Sequence, residues 1–181
     1  MGLLLNNLSN FYFTTVSSSD LSSVEEIQFL RKYVWETSGF MRCGEFVDFW
    51  QDKYDFCNHS MHWVVRTQDG MLIASARASI HDNLVEFPDS KDFLHLGLSL
   101  KKPIGTMNRL VVRKEFSGLG IAGRLDSIRL RHLMKLNVSA ILIQAPSWRE
   151  ESFLSYGFRS IGEAAYDMRF SVPFRAYLLE L

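Results

Sequence analysis

The sequence predicts an α/β (α+β) domain: a mixed, mostly antiparallel, twisted sheet of about seven strands flanked by about four helices. Two observations carry that prediction. Asp69-Gly70 separates two β-rich runs, "MHWVVRT" and "MLIASARASI", and an Asp-Gly turn in that setting marks an antiparallel hairpin. Further on, the strand in "GTMNRLVVR", a glycine-rich turn, a helical stripe and the apolar run "VSAILIQA" make a βαβ unit. A chain of 181 residues, 47% of them hydrophobic, can bury one substantial core, so residues 1–181 read as a single domain.

The elements follow in order. "NFYFTTV", Asn10 to Val16, is aromatic and β-branched and suits a first strand. Ser22 and Glu25 then stand at capping-box spacing. The helix they predict carries Val24, Ile27, Leu30 and Val34 at intervals of three and four, with Trp35 next to the last of them, which puts one face on a core. A second helix is predicted around Glu45 to Lys53, before the hairpin. From His81 to Pro103 the polarity is mixed and no period appears, which predicts a long irregular connection with a helical turn near Phe93. Connections of that length often line binding sites. The helix after the glycines carries Ile121, Leu125, Ile128 and Leu136 on one stripe. A short helix in "SWREESFLSYG" and two closing strands, about Phe158 to Met168 and Phe174 to Leu179, complete the chain.

Lysine plus arginine and aspartate plus glutamate number 20 each, so charge gives no argument for nucleic acid or an anionic membrane as partner. No apolar run approaches the roughly 18 residues of a membrane-spanning helix. Cys43 and Cys57 have neither the C-x-x-C spacing of a redox or zinc site nor the density of a secreted framework, and read as reduced thiols of a cytoplasmic protein. His59 and His62 lack a third ligand nearby, so no metal is expected.

The stretch "FSGLGIAGRL" contains G-x-G-x-x-G, yet the requirements of a dinucleotide fingerprint fail around it. Five residues, Arg113 to Ser117, separate Val112 from Gly118, and the next strand ends "ILIQA" with no ribose-binding carboxylate until Glu150. A P-loop is excluded because no Gly-Lys-Ser/Thr follows. What survives is physical. Closely spaced glycines expose consecutive backbone N–H groups at the positive end of a helix beginning near Gly120, which suits a pyrophosphate. Arg124 on the first helical turn, then Arg131 and Lys135, make a basic edge, the last two reading as a solvated face.

"NRLVV", "RKEFSGLGIAGRL" and "REESFLSYGFRSIGEA", spanning Thr106 to Glu163, resemble the GCN5-related N-acetyltransferase (GNAT) superfamily. Ser117, Gly120 and Ala122 fall on the three defined positions of its Q/R-x-x-G-x-G/A loop, with Ser117 a departure. Phe153, Gly157 and Phe158 match its second motif, with phenylalanine where many members have tyrosine. The resemblance implies the GNAT fold and direct transfer of an acetyl group from acetyl-CoA to a primary amine on a small molecule or peptide. Leu110, Val111 and Val112 would pair with the pantetheine arm. Ser117, Gly118, Leu119, Gly120, Ile121, Ala122 and Gly123, with Arg124, would hold the pyrophosphate. Phe153 cannot donate a proton, which leaves Tyr156 and Ser152 as candidate acids, Tyr156 being equally a packing residue. The strand offers Thr106 and Asn108 where the family frequently has a glutamate base. His81, with Asp82, Glu86, His95 and ordered water beside it, is then the candidate base. His132 reads as a hydrogen-bonded core histidine, and a homodimer is left open.

A second resemblance points elsewhere. "RKYVWE", "DKYDF", "ASARASI" and "NRLVV" are similar to stretches of the acyl-homoserine-lactone and N-acyl amino acid synthases, a branch of the same superfamily that takes long acyl chains from acyl carrier protein. Arg31, Trp35, Asp52, Asp55, Arg77 and Arg109 match its recurring positions, and Thr106 stands where that branch usually has glutamate. A third class, a CoA-binding domain without catalysis, stays open because both the motif tyrosine and the strand glutamate are missing.

Overall fold

The structure is a computed structural model and describes residues 6–39, 51–166 and 170–181. Seven strands form one sheet: β1 (Tyr12–Ser17), β2 (Ser60–Arg66), β3 (Leu72–His81), β4 (Ile104–Val112), β5 (Ala140–Pro146), β6 (Arg159–Tyr166) and β7 (Pro173–Glu180). Their order is β1-β2-β3-β4-β5-β7-β6, and every neighbouring pair is antiparallel except β4 and β5. Among the described residues four helices accompany it: α1 (Leu21–Ser38), α2 (Lys91–Leu94), α3 (Ile121–Lys135) and α4 (Glu150–Ser155). The mixed, mostly antiparallel sheet matches the expectation. The predicted helix around Glu45 to Lys53 falls mostly outside the described residues, as do Cys43 and Met168, and Lys53–Phe56 is a 3₁₀ turn.

Two local readings change. The cap of α1 is Asp20, whose carboxylate accepts from the Ser23 N–H at 3.2 Å, so Ser22 lies inside the helix. On α3 the buried line runs Ile121, Leu125, Arg129, Leu133, and Leu136 is 45% exposed. Steps of four follow the helical repeat, whereas Leu136 is rotated off that line and lies past the last helical residue.

Helices cover both faces of the sheet. Ile121, Leu125 and Leu133 of α3 and Phe153 of α4 pack with Trp63, Val65, Ile141 and Ile143. On the other face Val24, Ile27 and Leu30 of α1 meet Val64, Leu72 and Val111. The alternation of Trp63, Val64 and Val65 between the two cores is the strand period at work. The 81–103 connection has its own core, in which buried Phe87 and Phe93 cover Ile104, Leu142 and Leu178. Gly105 lets α3 approach β4 closely, since a Cβ there would stand 3.1 Å from Leu133. Among the described residues no helix is long and apolar enough to cross a membrane.

Candidate active site

A bulge and a parting of strands create the site. In the β3–β4 ladder Ser75 faces Val111 and Arg77 faces Asn108, so Arg109 and Leu110 share the place opposite Ala76. Arg109 takes φ +53° at this point. The buried Arg129 of α3 reaches the bulge and donates from Nη1 to the carbonyls of Arg77 and Asn108, at 3.0 and 3.1 Å. Its other end is held by the buried Asp126, which also binds Arg149. On the far side, β4 pairs with β5 only over Ile104–Thr106, while β5 stays paired with β7 along its whole length. Past Thr106 the two strands separate, and a cavity of about 490 Å³ occupies the opening, with Leu110, Val111 and Val112 on one wall and Ile143, Gln144 and Ala145 on the other.

The glycine loop lies at one end of this cavity. After the 3₁₀ turn Lys114–Phe116, Gly118 and Gly120 adopt φ +78° and +82°, and Gly120 is the N-cap residue of α3. Only glycine makes that left-handed approach without penalty, and with no side chain to cap them the first N–H groups of α3 are left for a ligand. Lys114, Ser117 and Ala122 line the cavity here. Ile121 is buried in the core, so it has only its backbone to offer, and Arg124 is exposed on the first turn.

The other end is polar and charged. Arg77 is fully buried and its guanidinium serves three groups: Nη1 and Nη2 bind Asp52 at 2.6 and 2.9 Å, Nη1 binds Asp55 at 2.7 Å, and Nε donates to Asn108 Oδ1 at 2.9 Å. Arg31 reaches Asp55 at 2.7 Å, and Arg109 reaches Asp52 at 2.8 Å and Asp89 at 3.6 Å. Trp35 lines the same cavity as Arg31 and Arg109. Thus five of the six residues singled out by the second resemblance form one ion-pair cluster, and the sixth stands beside it. Burial opposes ionisation of Asp52, yet the hydrogen bonds and charges of Arg77 and Arg109 outweigh it and hold the carboxyl well below its usual range. Burial lowers Arg31 to about 10 despite Asp55, so it remains charged at neutral pH.

His62 sits under the cluster with Nε2 on the Asp55 carbonyl at 2.9 Å and Nδ1 3.4 Å from Arg31. That arrangement makes Nε2 the donor and occupies both nitrogens. Burial, reinforced by the Arg31 charge, lowers His62 to about 4; burial and the neighbouring His59 lower His81 to about 4. Both histidines are neutral when folded and titrate near 6.5 when unfolded. The unfolded chain therefore takes up protons first, so stability is complete above about pH 6.5 and drains away as pH falls to 4. Urea midpoints across that range should fall steadily; a flat profile would contradict the burial of both rings.

The three candidate proton carriers do not meet in the cavity. Tyr156 Oη donates to the Gly123 carbonyl at 3.1 Å and lies 3.3 Å from Ser127 Oγ, tying α4 to the start of α3. Ser152 is half-buried on α4, and His81 is buried against Tyr54, His59 and Phe87 with Ser79 Oγ at 2.9 Å. None of the three lines the cavity, nor do Asp82, Glu86 or His95. His132 packs edge-on against Trp63 at 5.1 Å. Phe153 does line the cavity. Sequence reading missed Asp89, the one carboxylate lining the cavity among the described residues. It lies in a segment with no period, and its φ of +56° belongs to a turn that no motif announces.

No protein-family model and no curated protein matches the sequence. Solved structures do match along nearly the full length. FeeM, an N-acyl amino acid synthase from uncultured soil microbes, is 11% identical, covering 94% of this chain and 90% of that one, with a TM-score of 0.70. BjaI, a CoA-dependent acyl-homoserine lactone synthase, is 13% identical over 94% of this chain and 83% of its own, with a TM-score of 0.64. An acetyltransferase of the GNAT family from Staphylococcus aureus is 13% identical over 93% and 99%, with a TM-score of 0.61. The chain has the GNAT fold.

Proposed function

We propose that this chain is an N-acyltransferase that moves an acyl group from coenzyme A to a primary amine by direct attack in a ternary complex. One observation carries the reading: a single cavity runs from the glycine loop, along the parted edges of β4 and β5, to a pocket beside the arginine cluster. An extended pantetheine arm fits between two strand edges whose backbone groups have lost each other as partners. The helix start at Gly120 suits its pyrophosphate.

The acyl chain is longer than acetyl. The cavity continues past the bulge to Val34, Trp35, Phe170 and Phe174, with Trp35 and Phe170 rings 5.1 Å apart and Phe170 and Phe174 rings 4.8 Å apart. Such an aromatic wall favours methylene groups. FeeM and BjaI, which share the fold, are synthases of acylated products by name. Acetyl-CoA is the second reading, favoured by the loop's match to the acetyl-CoA pattern.

Asp89 holds the incoming amine and takes its proton. The amine nitrogen bonds to the thioester carbon, the carbon–sulfur bond breaks, and the thiolate is protonated by water. The test is thiol release from acyl-CoAs of increasing chain length across an amine panel. Longer chains should turn over faster than acetyl, and Asp89→Asn should lower kcat/KM about 10²–10⁴-fold with acyl-CoA affinity retained. No binding of any acyl-CoA would overturn the assignment, and an unaffected Asp89→Asn enzyme would remove Asp89 from it.

A further inference from the structure

Gln144 is out of place on β5. It follows Ala140, Ile141, Leu142 and Ile143, a run of buried apolar residues in a strand paired on one side with β7. Its side chain has no hydrogen-bond partner among the described residues, although it is half-buried and lines the cavity. Its amide is open to the cavity, so both the donor and the acceptor are available to a ligand there.

Register says which part of the ligand. The last β4–β5 pair is Thr106 with Leu142, so two residues further along each parallel strand Gln144 stands opposite Asn108, where the opening begins. Strand alternation puts both on the sheet face that carries Ile104 and Leu142. The two amides are not equivalent. Asn108 Oδ1 is taken by Arg77 Nε, which fixes its orientation, and its Nδ2 is turned into the protein and closed to solvent. Gln144 is the amide left to meet a ligand. An arm entering from the glycine loop beyond Val112 has its reactive end at the closed end of the opening, beside Gln144.

We propose that Gln144 is a catalytic residue whose Nε2 donates a hydrogen bond to the acyl thioester carbonyl oxygen. This rests on the acyltransferase reading. As the amine adds to the carbon, the carbonyl π pair moves onto that oxygen, and the Gln144 donor stabilises the charge until the carbon–sulfur bond breaks and the carbonyl re-forms. Asp89 faces the same cavity from the 81–103 connection, so the amine and the carbonyl oxygen have separate partners.

Infrared spectra of acyl-CoA carrying a ¹³C carbonyl, bound without acceptor, test this directly. The bound band should lie at lower frequency in the wild-type protein than in Gln144→Met, which keeps the reach and loses the donor. In turnover, Gln144→Met and Gln144→Glu should each lower kcat about 10²–10³-fold with little change in acyl-CoA affinity. Both variants should melt like the wild type, since no hydrogen bond is lost. Labelled acyl-CoA that fails to bind the wild-type protein would overturn the acyltransferase reading. Binding with the same carbonyl band in wild type and Gln144→Met, or an unchanged kcat, would overturn the role of Gln144 alone.

Discussion

Arg77→Met is expected to destabilise the protein by about 3–5 kcal/mol, the usual consequence of removing one partner from a buried ion pair. Against a total stability of roughly 5–15 kcal/mol, that is a large share. The guanidinium is fully buried, and three groups depend on it: both oxygens of Asp52, one oxygen of Asp55, and the side-chain Oδ1 of Asn108. Burial by itself would lower the Arg77 pKa, but hydrogen bonds and charge from Asp52 and Asp55 reverse this and raise it. Methionine fills much of the volume and supplies no donor. Asp55 would keep Arg31 and Asp52 would keep Arg109, so the cluster shrinks without vanishing. Arg77→Lys preserves the charge but has no planar fork to serve several acceptors at once, and should fall between the wild type and Arg77→Met. Urea unfolding of the three proteins gives the comparison; a loss below about 1 kcal/mol, the level typical of exposed pairs, would show that the cluster contributes little to stability.

Ala122→Glu is expected to abolish coenzyme A binding while leaving the fold intact. Ala122 is the second residue of α3 and lines the loop end of the cavity. A glutamate in a first helical turn costs little in propensity and interacts well with the helix dipole, so stability should hold. Facing a bound pyrophosphate, the same carboxylate meets about 4 kcal/mol of repulsion per unit charge at 4 Å in a partly screened site. That corresponds to roughly a thousandfold loss of affinity. Gly120→Glu is a less clean probe. Space exists there, with nothing within 4 Å of an added Cβ, but φ is +82°. A side chain in that conformation costs about 1–2 kcal/mol, so lost binding would be mixed with lost loop geometry. Calorimetric titration of coenzyme A into Ala122→Glu, with a thermal melt alongside, separates binding from folding; undiminished affinity would move the pyrophosphate away from this loop.

The elements were legible because each has a local cause. Asp69-Gly70 announces the β2–β3 hairpin, the run "AILI" announces β5, and the three- and four-residue spacing from Val24 to Val34 announces α1. Errors fell where one side chain settles the matter, as when Asp20 rather than Ser22 caps α1. The glycine-rich stretch was legible as a turn into α3 for the same reason, since φ values near +80° at Gly118 and Gly120 favour glycine.

Sequence by itself determined the order of strands and helices and the glycine loop, because these depend on periods and spacings within a few residues of each other, whereas Arg31, Trp35, Asp52, Asp55, Arg77 and Arg109 were marked by the second resemblance alone. Tertiary structure decided what those residues do together. Only the assembled sheet brings β4 beside β5, paired over Ile104–Thr106 and parted beyond. Only the bulge at Arg109 and the reach of Arg129 across from α3 shape that opening. Arg31, Asp52, Asp55, Arg77 and Arg109 are scattered over nearly eighty positions, yet they become one buried network because α1, the 3₁₀ turn, β3 and β4 converge on one face of the sheet. Asp89 and Gln144 acquire meaning at the same stage, for each is ordinary in its own segment and distinctive only against the cavity it lines.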